Sequence, residues 1–133
     1  MIMIDHKPLE IFDIILLTNK NKLVEFTKNN DEFYLEDIIV EDDVLKLNVS
    51  YSGGCKNHQF ILIEKKNLQR SKNVYEIHLQ LLHNSNKDNC KKIVTEGLFF
   101  NLLPLKTKFQ KENVDQKDIN LILIINNITI NYN

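Results

Sequence analysis

Cys55 and His58 stand in the run Tyr51-Ser52-Gly53-Gly54-Cys55-Lys56-Asn57-His58, and His83 and Cys90 bracket the polar stretch Asn84-Ser85-Asn86-Lys87-Asp88-Asn89. Both cysteines of the chain and two of its four histidines fall into these two short runs. Three chemistries fit such a set. Two thiolates and two neutral imidazoles match a tetrahedral zinc site. Two thiols alone can close a disulfide, here around about 34 intervening residues, which the chain-entropy view values at roughly 3 to 4 kcal/mol. A thiol beside an imidazole can also serve as a nucleophile and its base.

For these groups to meet, the elements carrying them must run side by side. His58 to Lys65 reads as a strand with Phe60 and Leu62 on the His58 face and Ile61 and Ile63 on the reverse. Val74 to His83 reads as another, with Tyr75, Ile77, Leu79, Leu81 and His83 on one side. An antiparallel hairpin through the polar link 66–73 pairs Phe60 with Leu81 and Leu62 with Leu79, and then sets His58 opposite His83. Directly opposed residues have Cβ atoms about 4.5 to 5.5 Å apart, so the two rings would be neighbours, with Cys55 and Cys90 at the same end. A one-residue slip would turn one strand over, so the inference depends on register.

The spacing of Cys55 and His58 is ordinary for metal ligands, whereas the six residues between His83 and Cys90 must loop out. Gly53-Gly54 lets the backbone turn sharply or approach an ion, and a turn that ends the preceding strand is the simpler account. A histidine at a strand end is usually a hydrogen-bonded structural residue, and two buried cysteines can be inert small hydrophobes. Asn84, Asn86 and Asp88 alternate like oxygen ligands of a calcium loop, but Asn89 and Thr95 occupy positions where glycine and glutamate are needed, so an Asx-rich loop accounts for them better. A thiol- or metal-dependent enzyme built on the same cluster is the alternative to a structural staple, although no third residue is identifiable that would orient the base. Nucleophile-elbow, phosphate-loop, zinc-protease and dinucleotide motifs are absent from the sequence.

Elsewhere period-2 patterning dominates. Leu45, Leu47, Val49 and Tyr51 alternate with Lys46, Asn48 and Ser50, and 34–40 precedes the acidic turn Glu41-Asp42-Asp43, which predicts a hairpin. Further strands are expected at 92–95, 98–103, 120–125 and 128–132, the last two joined by Asn126-Asn127. A hairpin over 11–18 and 23–28, turning at 19–22, is expected near the start, although Leu9, Phe12 and Leu16 also have helical spacing. Pro104 opens one short helix. Many short strands without a long helical period predict an all-β fold, an antiparallel sandwich or open barrel with at most one or two short helices.

With 133 residues, 43% of them hydrophobic and 26% charged, the chain fits a single β-rich domain spanning 1–133. A net charge of -1 supplies no field for nucleic acid, and its short lysine pairs lack interleaved aromatics. The expected partner is therefore a protein or a small ligand. The apolar run Ile14-Ile15-Leu16-Leu17 is too short for a membrane span, and without an export signal the chain reads as cytoplasmic, or as exported if a signal has been removed.

The pattern Asp37-x-x-Val40-x-x-Asp43-x-Leu45-x-Leu47-x-Val49-x-Tyr51-x-Gly53-Gly54-Cys55-x-x-His58, followed by His83 to Cys90 and by Phe100-Asn101-Leu102-Leu103-Pro104-Leu105, resembles an uncharacterised family of small bacterial β-rich domains. The resemblance covers roughly residues 36 to 125. It implies a β-rich fold, draws attention to Cys55, His58, His83, Asp88 and Cys90, and supplies no reaction. Some members of that family look exported. The chain departs from the pattern at Asn84 and Lys87, where an acidic residue and a glycine are expected, which weakens a cation role for that loop.

Overall fold

The structure is a computed structural model, and it describes residues 10–17, 30–113 and 118–132. In chain order the elements are β1 (Phe12–Asp13), β2 (Tyr34–Glu41), β3 (Val44–Gly53), β4 (Gln59–Ser71), β5 (Val74–Asn84), β6 (Lys92–Asn101), α1 (Leu103–Glu112), β7 (Asn120–Ile125) and β8 (Ile128–Tyr132). Among the described residues they make two four-stranded sheets, ordered β1-β6-β3-β2 and β4-β5-β7-β8.

The alternating apolar residues of the strands face one another between these sheets. Leu45, Leu47 and Val49 of β3 are inaccessible, and Tyr51 is nearly so. They meet Phe60 and Leu62 of β4, Ile77, Leu79 and Leu81 of β5, and Leu121, Leu123 and Ile125 of β7. Helix α1 adds Leu105 and Phe109 to this core and carries Pro104 in its first turn, where proline gives up no helical donor.

The all-β architecture is as the patterning predicts, but the sheets are mixed and neither closes into a barrel. β1 pairs parallel with β6, and β7 pairs parallel with β5. Local periodicity sees a strand's faces and not its neighbour's direction. The segment after β1 crosses between sheets, since Ile15 bridges Ile63 of β4 in parallel. Over residues 11–17 the structure shows two short pairings with different sheets. Residues 18–29, with the proposed turn and second strand, lie outside the described residues.

Two expectations about β4 and β5 need correction. The polar link 66–73 is mostly strand, and the turn is only Lys72-Asn73. Register shifts at Glu64/Lys66 and Gln69/Ser71 take up extra residues in β4. As a result Phe60 faces His83 and Leu62 faces Leu81, two residues away from the expected register. An even slip keeps every side chain on its face, so the core survives the error while the direct opposition of His58 and His83 does not. The strands expected separately at 92–95 and 98–103 are the single strand β6, which runs through Gly97.

Candidate functional site

β3 ends, β4 begins, β5 ends and β6 begins at one rim of the sandwich: Gly53 pairs with Lys92, and Gln59 pairs with Asn84. The loops that leave this rim carry the Cys/His residues. Cys55 and Cys90 are joined in a disulfide, with Cα atoms 5.9 Å apart and a separation of 35 residues. It ties the β3–β4 loop to the β5–β6 loop, just beyond the point where the flanking strands pair.

The carboxylate of Asp88 organises what lies beneath. Its Oδ2 accepts the backbone N–H groups of Cys55 and Lys56, both at 3.1 Å, and its Oδ1 accepts the N–H of Cys90 at 3.0 Å. Oδ2 also lies 2.8 Å from His58 Nε2, and neither side chain of that pair is exposed. The bond from His58, followed by the three backbone donors, holds the Asp88 carboxyl far below the usual carboxylate range. The remaining loop is built from turns: Asn86 donates its N–H to Asn84 Oδ1 at 2.9 Å, and Asn86 and Lys87 have positive φ. An Asx-rich loop is what the structure contains.

From Asp88 a chain of hydrogen bonds runs inward. His58 Nδ1 is 2.7 Å from His83 Nε2, and His83 Nδ1 is 3.2 and 3.1 Å from the carbonyl oxygens of Asp31 and Glu32. The two ends fix the protons. Carbonyl oxygens only accept, so His83 carries hydrogen on Nδ1. Burial pushes the His83 pKa down, so its Nε2 is an unprotonated acceptor for His58 Nδ1–H. His58 lies between the two, with Nε2 toward the Asp88 carboxylate and Nδ1 toward His83 Nε2.

Rings enclose this chain. His58 stacks on Tyr51 with centroids 4.2 Å apart, and His83 lies flat on Phe60 at 4.3 Å, with Phe33 edge-on at 5.9 Å. The Tyr51 hydroxyl donates to Glu96 Oε2 at 2.7 Å, and burial together with that bond pushes the phenol well above its ordinary value. Gly53 makes room: a Cβ there would lie 2.7 Å from His58 Nε2 and 2.9 Å from Asp88 Oδ2. Gly54, at φ +104, supplies the turn.

The structure thus gathers Cys55, His58, His83, Asp88 and Cys90 at one rim but divides them into two layers. The sulfurs lie with Asp88, all three ligand atoms within 4.8 Å of one another, and among the described residues no imidazole joins that group. His83 has spent one nitrogen on His58 and the other on backbone carbonyls, so it holds no lone pair for an ion. The Asp–His–His chain ends on the carbonyl oxygens of Asp31 and Glu32, with no nucleophile at that end among the described residues.

Sequence reasoning missed a second buried ion pair. Glu64, 1% exposed on the core side of β4, is held by Lys108 Nζ of α1 at 2.9 and 3.0 Å and by the Leu17 N–H at 3.1 Å. A glutamate at an inward position of an alternating strand was the available signal. On the opposite face of the same sheet, Glu76 binds the Arg70 guanidinium and His78 Nε2, and these partners pull its pKa down, Arg70 foremost. A groove of about 540 Å³ beside α1, lined by Leu16, Leu103, Pro104 and Lys111 among others, lies at the far end of β6 from the cysteines.

No protein-family model matches the chain, and no curated protein matches it. Solved structures do. A NigD-like immunity protein from Bacteroides caccae superposes with a TM-score of 0.58 at 12% identity, covering 91% of this chain and 58% of that protein. A protein of unknown function from Bacteroides vulgatus gives 0.49 at 17% identity, over 94% of this chain and 55% of that one. A toxin-related protein from Parabacteroides distasonis gives 0.48 at 18% identity, over 92% and 59%. The likeness to the first is one of fold, and the chain spans under two thirds of its length. Among the described residues no helix is long and apolar enough to cross a membrane.

Proposed function

We propose that residues 1–133 form a single non-catalytic β-sandwich domain that acts by binding a protein or small ligand, and that the Cys55–Cys90 disulfide is its structural staple. One observation carries this reading: every polar group of the Cys/His/Asp cluster is answered from within the chain. His83 ends on backbone carbonyls, Asp88 accepts four donors and the thiols are spent on each other. Catalytic clusters keep a group free for substrate. The staple fits an oxidising compartment, since disulfides persist outside the reducing cytosol. That the neighbour from Bacteroides caccae is described as an immunity protein is in line with action by association.

Mass measurement under non-reducing conditions tests the staple. The expected mass is lower than that of the reduced protein by two hydrogens, with no thiol open to alkylation, and two free thiols in protein isolated from its native compartment would remove it. For the binding role, cross-linking in that compartment should yield a defined partner that rebinds when both proteins are purified. Turnover of a substrate that is lost in the Cys55→Ser variant would instead favour a thiol-dependent enzyme.

A further inference from the structure

One carboxylate joins the two cysteine loops independently of the sulfur bond. Asp88 Oδ2 accepts the N–H groups of Cys55 and Lys56 at 3.1 Å in the β3–β4 loop, and its Oδ1 accepts the N–H of Cys90 at 3.0 Å in the β5–β6 loop. The ladder beneath aims the same two positions at each other. β3 and β6 pair in one unbroken register, from Val44 opposite Asn101 to Gly53 opposite Lys92, and two more steps of that register set Cys55 opposite Cys90. We propose that the fold assembles this rim before the disulfide forms: Asp88 is a positioning residue that docks the Cys55 and Cys90 loops in the reduced protein and so directs their oxidation. The assignment rests on the reading of the disulfide as the staple of the rim. It adds how that staple is made, and why the loops stay docked when it is reduced.

Valence, burial and space support it. Spanning both loops takes two acceptor oxygens on one rigid group, which a carboxylate has and an amide or hydroxyl side chain lacks. Asparagine at position 88 could accept from one loop, but it would then turn an NH2 donor toward the N–H of the other. The Asp88 side chain is 0% exposed, so water competes little for these bonds. Gly53 leaves room for it, since a Cβ there would lie 2.9 Å from Asp88 Oδ2. Cys55 is exposed and Cys90 half-buried, so an oxidant meets the Cys55 sulfur first and the docked Cys90 completes the bond.

The redox step balances with a small disulfide, such as oxidised glutathione, as the oxidant. Cys55 loses its thiol proton and attacks the glutathione S–S bond, which releases one glutathione thiol. Cys90 then loses its proton and attacks the Cys55 sulfur of the mixed disulfide, which releases the second. One S–S bond forms in the protein and one breaks in glutathione, and two electrons and two protons pass to the glutathione.

Equilibration of the whole chain with reduced and oxidised glutathione reads the effective concentration of one cysteine sulfur at the other. In the folded protein it should exceed the value for the same chain in denaturant by roughly 100- to 1,000-fold. Asp88→Asn should lower the folded value by about tenfold or more, the worth of a charge-assisted bond between the loops. His58→Gln, which leaves the backbone bonds to Asp88 in place, should lower it far less. A second readout needs no variant and serves even if one fails to fold. In the reduced, unmutated protein the amide hydrogens of Cys55, Lys56 and Cys90 should exchange as slowly as in the oxidised protein. An unchanged effective concentration in Asp88→Asn would mean that the ladder alone presents the cysteines, and it overturns the proposal. Loop amides that exchange freely in the reduced protein, while those of Leu47 and Val49 stay protected, overturn it too. Failure of the staple itself would appear separately, as two free thiols in the non-reduced mass, and would leave the amide readout on the reduced chain intact.

Discussion

At the scale of single residues, Asp88 and Gly53 set the rim. The folded state holds the Asp88 carboxyl below its unfolded value, chiefly through His58. A depressed carboxylate contributes stability that is complete above the unfolded value of about 3.9 and is lost as pH falls through the folded one. His83 has the same sign for another reason: burial lowers its pKa, so below about 6.5 the unfolded chain takes up a proton that the folded chain resists. Denaturant midpoints should therefore decline from about pH 6.5 downward and fall again below about pH 4, and Asp88→Asn should flatten the lower limb. Gly53→Ala would place a methyl 2.7 Å from His58 Nε2 in a packed rim. Overpacking of this kind typically costs about 1 to 3 kcal/mol, readable by urea unfolding. The gathering of Cys55, His58, His83 and Cys90 was legible from their clustering. The dominance of Asp88 was not, because three of its four donors are backbone groups brought to it by loop closure.

At the scale of elements, the strands were read from alternation, and β7 and β8 fall where they were expected. Their turn places Asn126 and Asn127 at φ 49 and 64, left-handed geometry that asparagine tolerates and β-branched residues do not. Asn127→Val should destabilise by about 1 to 2 kcal/mol, seen as a lowered thermal midpoint with an unchanged fold by circular dichroism. The register of β4 on β5 was missed by two because bulges arise from twist and neighbour fit, which alternation does not encode. Helix α1 is tied to β4 through Lys108 and Glu64, whose side chains are 16% and 0% exposed. Lys108→Ala leaves a buried carboxylate without its cation and should cost about 3 to 5 kcal/mol. The double variant Glu64→Gln, Lys108→Met should recover most of that loss in the same unfolding assay.

For the molecule as a whole, the disulfide closes the loop between the two sheets' rims. With a sequence separation of 35 residues between its ends, removing it in the Cys55→Ala, Cys90→Ala variant should lower unfolding free energy by roughly 3 to 4 kcal/mol. The core should survive, since Leu45, Leu47, Leu62 and Leu123 are inaccessible without its help. By itself the sequence determined the class of fold and the inventory of the rim, because period-2 burial is a local property and the cysteines and histidines are few and clustered. Only the tertiary structure decided the parallel neighbours, the two-residue register and the partition of the cluster into a disulfide above an Asp–His–His chain. Those depend on distances between segments remote in sequence, where a single carboxylate chooses among donors that no spacing along the chain can rank.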